Sequence, residues 1–200
     1  MRASSDPLEF SCSCGQMQGH ISANAVKSGT HAECSCRDCR AAELYFDQTD
    51  PAPGPVDLFQ TTPDAINIAQ GAEHLGLMRL SPKGTMRWFA KCCDVPMFNT
   101  TKSAKFPFVG IKGEVLKDHD RIGKVVSSVF IPRPGGKPTH KGMGRLAFGV
   151  ISRMIAARLS GRWRQTPFFD VESGRPVAEP VLPSKEQRAG LYPPQRRTKG

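Results

Sequence analysis

Apolar and polar residues alternate through a series of short segments: VDLFQT (56–61), AINIAQ (65–70), LGLMRLS (75–81), MRWFAKC (86–92), MFNTT (97–101) and FVGIKGEVL (108–116). Successive side chains of a strand point to opposite faces, so this alternation predicts half-buried strands that pair antiparallel. SPKGTM (81–86) supplies a hairpin connection between two of them. Upstream, LEFSCSCGQMQGHIS (8–22) reads as two short strands around a Cys-x-Cys-Gly turn, with Gly15 providing the permissive backbone at the tip. HAECSC (31–36) is extended, RDCRAAELYF (37–46) reads as one or two helical turns, and TDPAPGP (49–55) is a loop. Roughly eight short strands before residue 117 make a mainly β unit.

The pattern changes further along. Residues 132–142, PRPGGKPTHKG, are a linker by composition. GRLAFGVISRMIAARLSGRW (144–163) then predicts a helix, with Val150, Ile151, Met154 and Ile155 near one face and Arg145, Arg153, Arg158 and Arg162 largely elsewhere. Such a helix docks on the β unit through its apolar face. The segment from Thr166 onward is Pro-rich and irregular, anchored by Phe168 and Phe169, with disorder expected over the last few residues. The chain thus divides into a β domain over 1–131 and a C-terminal extension over 132–200.

Composition fits short strands and many turns: among 200 residues, 19 are Gly, 17 are Pro and 38% are hydrophobic. The net charge of +10 is unevenly placed. Residues 1–120 sum to −2 and residues 121–200 to +12, and between Arg121 and Arg164 there are ten basic side chains and no acidic one. That asymmetry points to a polyanion or an anionic ligand facing the extension, or to a solvated basic tail. The first ten residues hold no apolar signal core, and no run of about 18 apolar residues is present, so a soluble, cytoplasmic chain without a membrane span is expected.

Seven cysteines fall in three groups: Cys12 and Cys14; Cys34, Cys36 and Cys39; Cys92 and Cys93. Without an export signal, such grouping argues for metal or redox chemistry over a disulfide framework. Zinc favours four sulfur or nitrogen ligands, and closely spaced cysteines bring two thiolates to one ion. A 2 + 3 + 2 pattern therefore suggests a closed site from Cys12, Cys14, Cys92 and Cys93, and an open site from Cys34, Cys36 and Cys39. Redox-active thiols and an iron–sulfur cluster are the other readings of the triad. His31, nearest the triad among five scattered histidines, is a candidate fourth ligand or proton carrier, and Asp38 a candidate for orienting a ligand.

Three ordered pieces, CSCGQMQG (12–19), CSCRDC (34–39) and RWFAKCCDVPMF (87–98), resemble the glutathione-dependent formaldehyde-activating enzyme family, which includes centromere protein V. The resemblance covers roughly residues 8–116. It implies a β-tent of small antiparallel sheets around a structural zinc, and a second, catalytic zinc. One or two zinc ions are therefore expected. It implies carbon–sulfur lyase chemistry, in which zinc takes the thiol of glutathione and promotes its addition to formaldehyde. By position, Cys12, Cys14 and Cys93 match the structural ligands, and Cys34, Cys36 and Cys39 the catalytic ones. Arg37 and Arg40 beside the triad are candidates for the carboxylates of such a ligand. The third group departs from the family's Cys-x-x-Cys-Gly: Ala90 stands at the first cysteine, Asp94 replaces the glycine, and Cys92 directly precedes Cys93. Neighbours on a strand face opposite ways, so Cys92 and Cys93 share one ion only if the backbone turns at CCDVP.

Three functions compete on the sequence. One is a zinc enzyme acting on a small thiol or thiol adduct. The second is a zinc-stabilised binding module whose basic extension contacts nucleic acid, another polyanion or a protein. The third uses the thiols directly in redox or metal sensing. The sequence carries no signal of oligomeric state.

Overall fold

The computed structural model describes residues 6–192; the disorder expected over the last residues concerns positions largely outside that range. Among the described residues, three strands form a small antiparallel sheet: β1 (Leu8–Ser11), β2 (Gln18–Ile21) and β5 (Ile66–Gln70), in the order β1-β2-β5. Nine strands form a larger sheet: β3 (Thr30–Cys34), β4 (Val56–Thr61), β6 (Leu75–Met78), β7 (Met86–Ala90), β8 (Val95–Thr100), β9 (Val109–Lys112), β10 (Ser127–Ile131), β11 (Thr139–Lys141) and β12 (Pro180–Val181). Their order is β11-β10-β3-β4-β9-β8-β7-β6-β12. Pairing is antiparallel except for β10 with β3 and β12 with β6. The helices are α1 (Ala23–Ser28), α2 (Arg37–Tyr45), α3 (Met143–Leu159) and α4 (Lys185–Gly190). The mainly β architecture read from the sequence is the one observed.

Alternation along the central strands sorts their side chains into two buried faces. One face carries Phe59, Trp88, Phe98 and Ile111, which pack with Leu8, Phe10, Met17 and Ile21 from the small sheet. Phe10 meets Phe98 edge to face at 5.3 Å, a preferred aromatic geometry. The irregular tail enters the same core. Phe168 is fully buried, 5.1 Å from Trp88 and 5.3 Å from Phe98 between ring centres. Phe169 is buried beside it, so both anchors act as expected.

The opposite face lies under α2, where Ala41, Ala42 and Phe46 pack on Met78, Leu80 and Phe89. This face also buries charge: Arg87 of β7, and Lys112 of β9 paired with Glu43 of α2 at 2.9 Å.

Two readings of the extension need correction. The linker contains β11, which pairs with β10, a strand the pattern did not reveal. Helix α3 forms, but Arg153 turns inward, giving hydrogen bonds to the Ser28 carbonyl at 2.7 Å and to Thr30 Oγ1 at 2.9 Å. Ile151 and Ile155 face outward in its place, in line with Phe148 and Leu159, which are 76% and 85% exposed.

Candidate metal centres

The first cysteine group sits on the hairpin between β1 and β2, where Gly15 takes the left-handed conformation at φ 76°. The Cys12 amide donates to the Met17 carbonyl across the tip, and the Met17 amide donates to Cys12 Sγ at 3.3 Å. The third group sits between β7 and β8. There the Cys93 amide donates to the Ala90 carbonyl and Asp94 adopts φ 53°, so the chain turns at CCDVP. The turn places both cysteines on one side. Cys92 Sγ lies 3.7 Å from Cys12 Sγ, 3.3 Å from Cys14 Sγ and 3.9 Å from Cys93 Sγ, and Cys12 and Cys14 are 3.5 Å apart. Ala90, which stands where the resembled family has a cysteine, is buried in β7 instead.

The second group forms at the junction of β3 and α2. Cys34 ends the strand, Cys36 caps the helix and Cys39 closes its first turn. Cys39 Sγ is 3.5 Å from Cys34 Sγ, and the Cys39 amide donates to Cys36 Sγ at 3.3 Å. Within each group the sulfurs all lie within 4.8 Å of one another. Tetrahedral sulfur ligands at about 2.3 Å from a zinc ion are about 3.8 Å apart, so both groups fit the size of such an ion. Both can hold a metal: one presents four sulfurs, the other three.

The electrostatics of the triad favour one negative charge and resist more. Cys36 is pulled down to about 2 by hydrogen bonds from Cys34 and Cys39, against burial, with help from the Cys39 amide and the positive charge of Arg87. Cys34 moves the other way, raised by its hydrogen bonds with Cys36 and Cys39 and by burial. A bound divalent cation removes that conflict, because it lets the remaining thiols ionise. In the four-cysteine group burial opposes ionisation of Cys93, yet hydrogen bonds from Ser13 and from Cys14 bring it down to about 6. Burial and hydrogen bonds with Cys14 and Cys12 raise Cys92.

The other candidates separate. His31 is not beside the triad: three residues before Cys34 on one strand, it faces the opposite side of the sheet. There it meets Asp57 at 2.6 Å. Arg40 is held by Asp50 in a two-pronged ion pair at 2.7 and 2.6 Å. Arg37 remains available, stacked 5.2 Å over the Tyr192 ring, and Asp38 accepts from the Tyr192 hydroxyl at 2.9 Å. Arg37, Asp38, Lys185, Arg188, Ala189 and Tyr192 line a shallow, open surface depression of about 540 Å³ over the N-terminal turn of α2, which the three cysteines do not line. Helix α4 brings two further cations, Lys185 and Arg188, to this turn, a placement no local pattern in the chain signals.

No curated protein matches the chain. Among solved structures, a Rhodobacter sphaeroides protein aligns with a TM-score of 0.41 and 17% identity, over 58% of this chain and 96% of its own. No helix among the described residues is long and apolar enough to cross a membrane. From residue 4 to residue 180 the sequence matches one family throughout, and the chain belongs to that family, described as a family of unknown function (DUF6151).

Proposed function

We propose that this chain is a zinc protein whose Cys34–Cys36–Cys39 centre works on a small thiol or thiol adduct, as a carbon–sulfur lyase does. The supporting observation is the unequal ligand count: four sulfurs in one cluster, three in the other. Four thiolates saturate a zinc ion and make a structural site, whereas three leave one position for an exogenous ligand. Cys34, Cys36 and Cys39 would hold the ion, and when bound it supplies a stabilised thiolate at neutral pH. The resemblance of CSCGQMQG, CSCRDC and RWFAKCCDVPMF to the formaldehyde-activating family supports the same reading.

The chain's own residues do the rest. Arg87, buried on the sheet beneath α2, places positive potential near Cys36 and Cys39. The shallow depression with Arg37, Lys185 and Arg188 against the single acid Asp38 would draw an anionic substrate to the same helical turn. A thiol carrying a carboxylate, of the glutathione kind, suits it.

Metal analysis of the full chain, paired with a Cys36→Ala variant, tests this. The expected result is about two zinc ions per chain, falling to about one in the variant. Turnover of thiol–aldehyde adducts should be lost with that ion. A metal content that Cys36→Ala leaves unchanged would show the triad to be idle and sink the enzymatic reading.

A second reading is a binding module that acts through the basic extension, supported by the net charge of +12 over residues 121–200. It expects polyanion binding that weakens steeply with salt, by roughly 10³–10⁵ between 50 and 200 mM if six to ten phosphates are contacted.

A further inference from the structure

The strand register assembles a third group that the cysteine chemistry does not use. His31 of β3, Asp57 of β4 and His119, on the short 3-10 turn His119–Ile122, bring their ligand atoms within 4.8 Å of one another. His31 Nε2 is 2.6 Å from Asp57 Oδ1, and His119 Nε2 is 2.5 Å from Asp57 Oδ2. The two rings meet edge to face at 5.4 Å.

The proton inventory points to a cation. His31 Nδ1 lies 2.6 Å from the Gly123 carbonyl oxygen. A carbonyl only accepts, so Nδ1 carries the hydrogen. In a neutral ring Nε2 then presents a bare lone pair, aimed at a carboxylate oxygen. Two acceptors at hydrogen-bond distance require a positive centre: a second proton on the ring, which the 2.6 Å spacing fits, or a metal ion that displaces it and draws the ligands to about 3 Å apart. Fixing a metal-ligating histidine by an Nδ1–H bond to a backbone carbonyl is the usual outer-shell arrangement of such sites.

The surroundings leave room for an ion. A side chain at Gly113 would come within 2.0 Å of Asp57 Oδ2 and 3.0 Å of His119 Nε2, so the glycine keeps the space around these ligands. Exposure rises across the group, from 6% at His31 through 28% at Asp57 to 46% at His119. The centre is thus anchored in the protein and open on one side to water or a small ligand.

We propose that His31, Asp57 and His119 form a divalent-metal site with open coordination positions, on the face of the sheet opposite the cysteine triad. Two imidazoles and a carboxylate suit borderline ions such as zinc, cobalt(II) or iron(II). The site goes beyond the thiol-adduct reading and does not depend on it.

Cobalt(II) titration of the full chain, with its cysteine sites already loaded with zinc, tests the proposal. The expected result is about one further equivalent of cobalt, with weak d–d absorption and no sulfur-to-metal charge-transfer band. His119→Ala, which removes a half-exposed ring, and Asp57→Asn should each abolish that equivalent and leave the zinc content unchanged. Absence of the extra equivalent, its retention in either variant, or a thiolate charge-transfer band would overturn the proposal. The three residues would then be a proton-bridged cluster.

Discussion

Lys112 and Glu43 meet where both are nearly sealed from water, 4% and 5% exposed. Burial raises the Glu43 carboxyl above its ordinary 4.5, while Lys112 pulls it back. The folded chain therefore holds that proton more tightly than the unfolded chain. Stability from Glu43 is fully present below 4.5 and is lost as pH rises through the raised value. Lys112→Met leaves the carboxylate unpaired and should cost about 3–5 kcal/mol by urea denaturation, with a steeper loss on the alkaline side. Adding Glu43→Gln should recover much of that cost. Asp50 has the opposite sign. Its bond to Arg40 lowers it from 3.8 to about 2, so its contribution is present above 3.8 and disappears as pH falls toward 2. Water screens this exposed pair, and Asp50→Asn should cost under about 1 kcal/mol at neutral pH. Legibility at this scale follows ligand chemistry. Cys34, Cys36 and Cys39 stand out because six residues span them, whereas Asp57 is 26 residues from His31 and 62 from His119. Only the register of β3 on β4 and the turn at His119 bring those three together.

Strands β4 to β9 were readable because each is short and its two faces differ enough to show alternation. Strand β10 was not, since Ser127–Ile131 has no clear period and pairs in parallel with β3, far away in sequence. The outward face of α3 differs from the one its periodicity predicts for a specific reason. Apolar periodicity locates a stripe without saying which side the fold covers, and two hydrogen bonds made Arg153 an inward residue. The tail illustrates the reverse case, where two aromatic residues in an irregular segment suffice to mark an anchor. Phe168→Ala should cost about 3–5 kcal/mol in chemical denaturation, because the ring is fully enclosed between Trp88 and Phe98.

Across the whole molecule, the four-cysteine cluster ties the small sheet to the large one, since Cys12 and Cys14 lie on the β1–β2 hairpin and Cys92 and Cys93 between β7 and β8. Chelation of a bound metal should accordingly raise amide exchange over 8–21 and 91–95 before the amides around Trp88 respond, as hydrogen-exchange mass spectrometry can read. Charge separates on the same scale, with the positive excess confined to residues 121–200. The two cysteine clusters also differ in when they can exist. The triad spans six residues and needs only a strand end and one helical turn, so it can take up an ion while the chain is still being made. The four-sulfur cluster needs residues about 80 positions apart, and it is complete only once β7 and β8 have found the small sheet. An ion held there certifies a finished fold, whereas an ion in the triad does not.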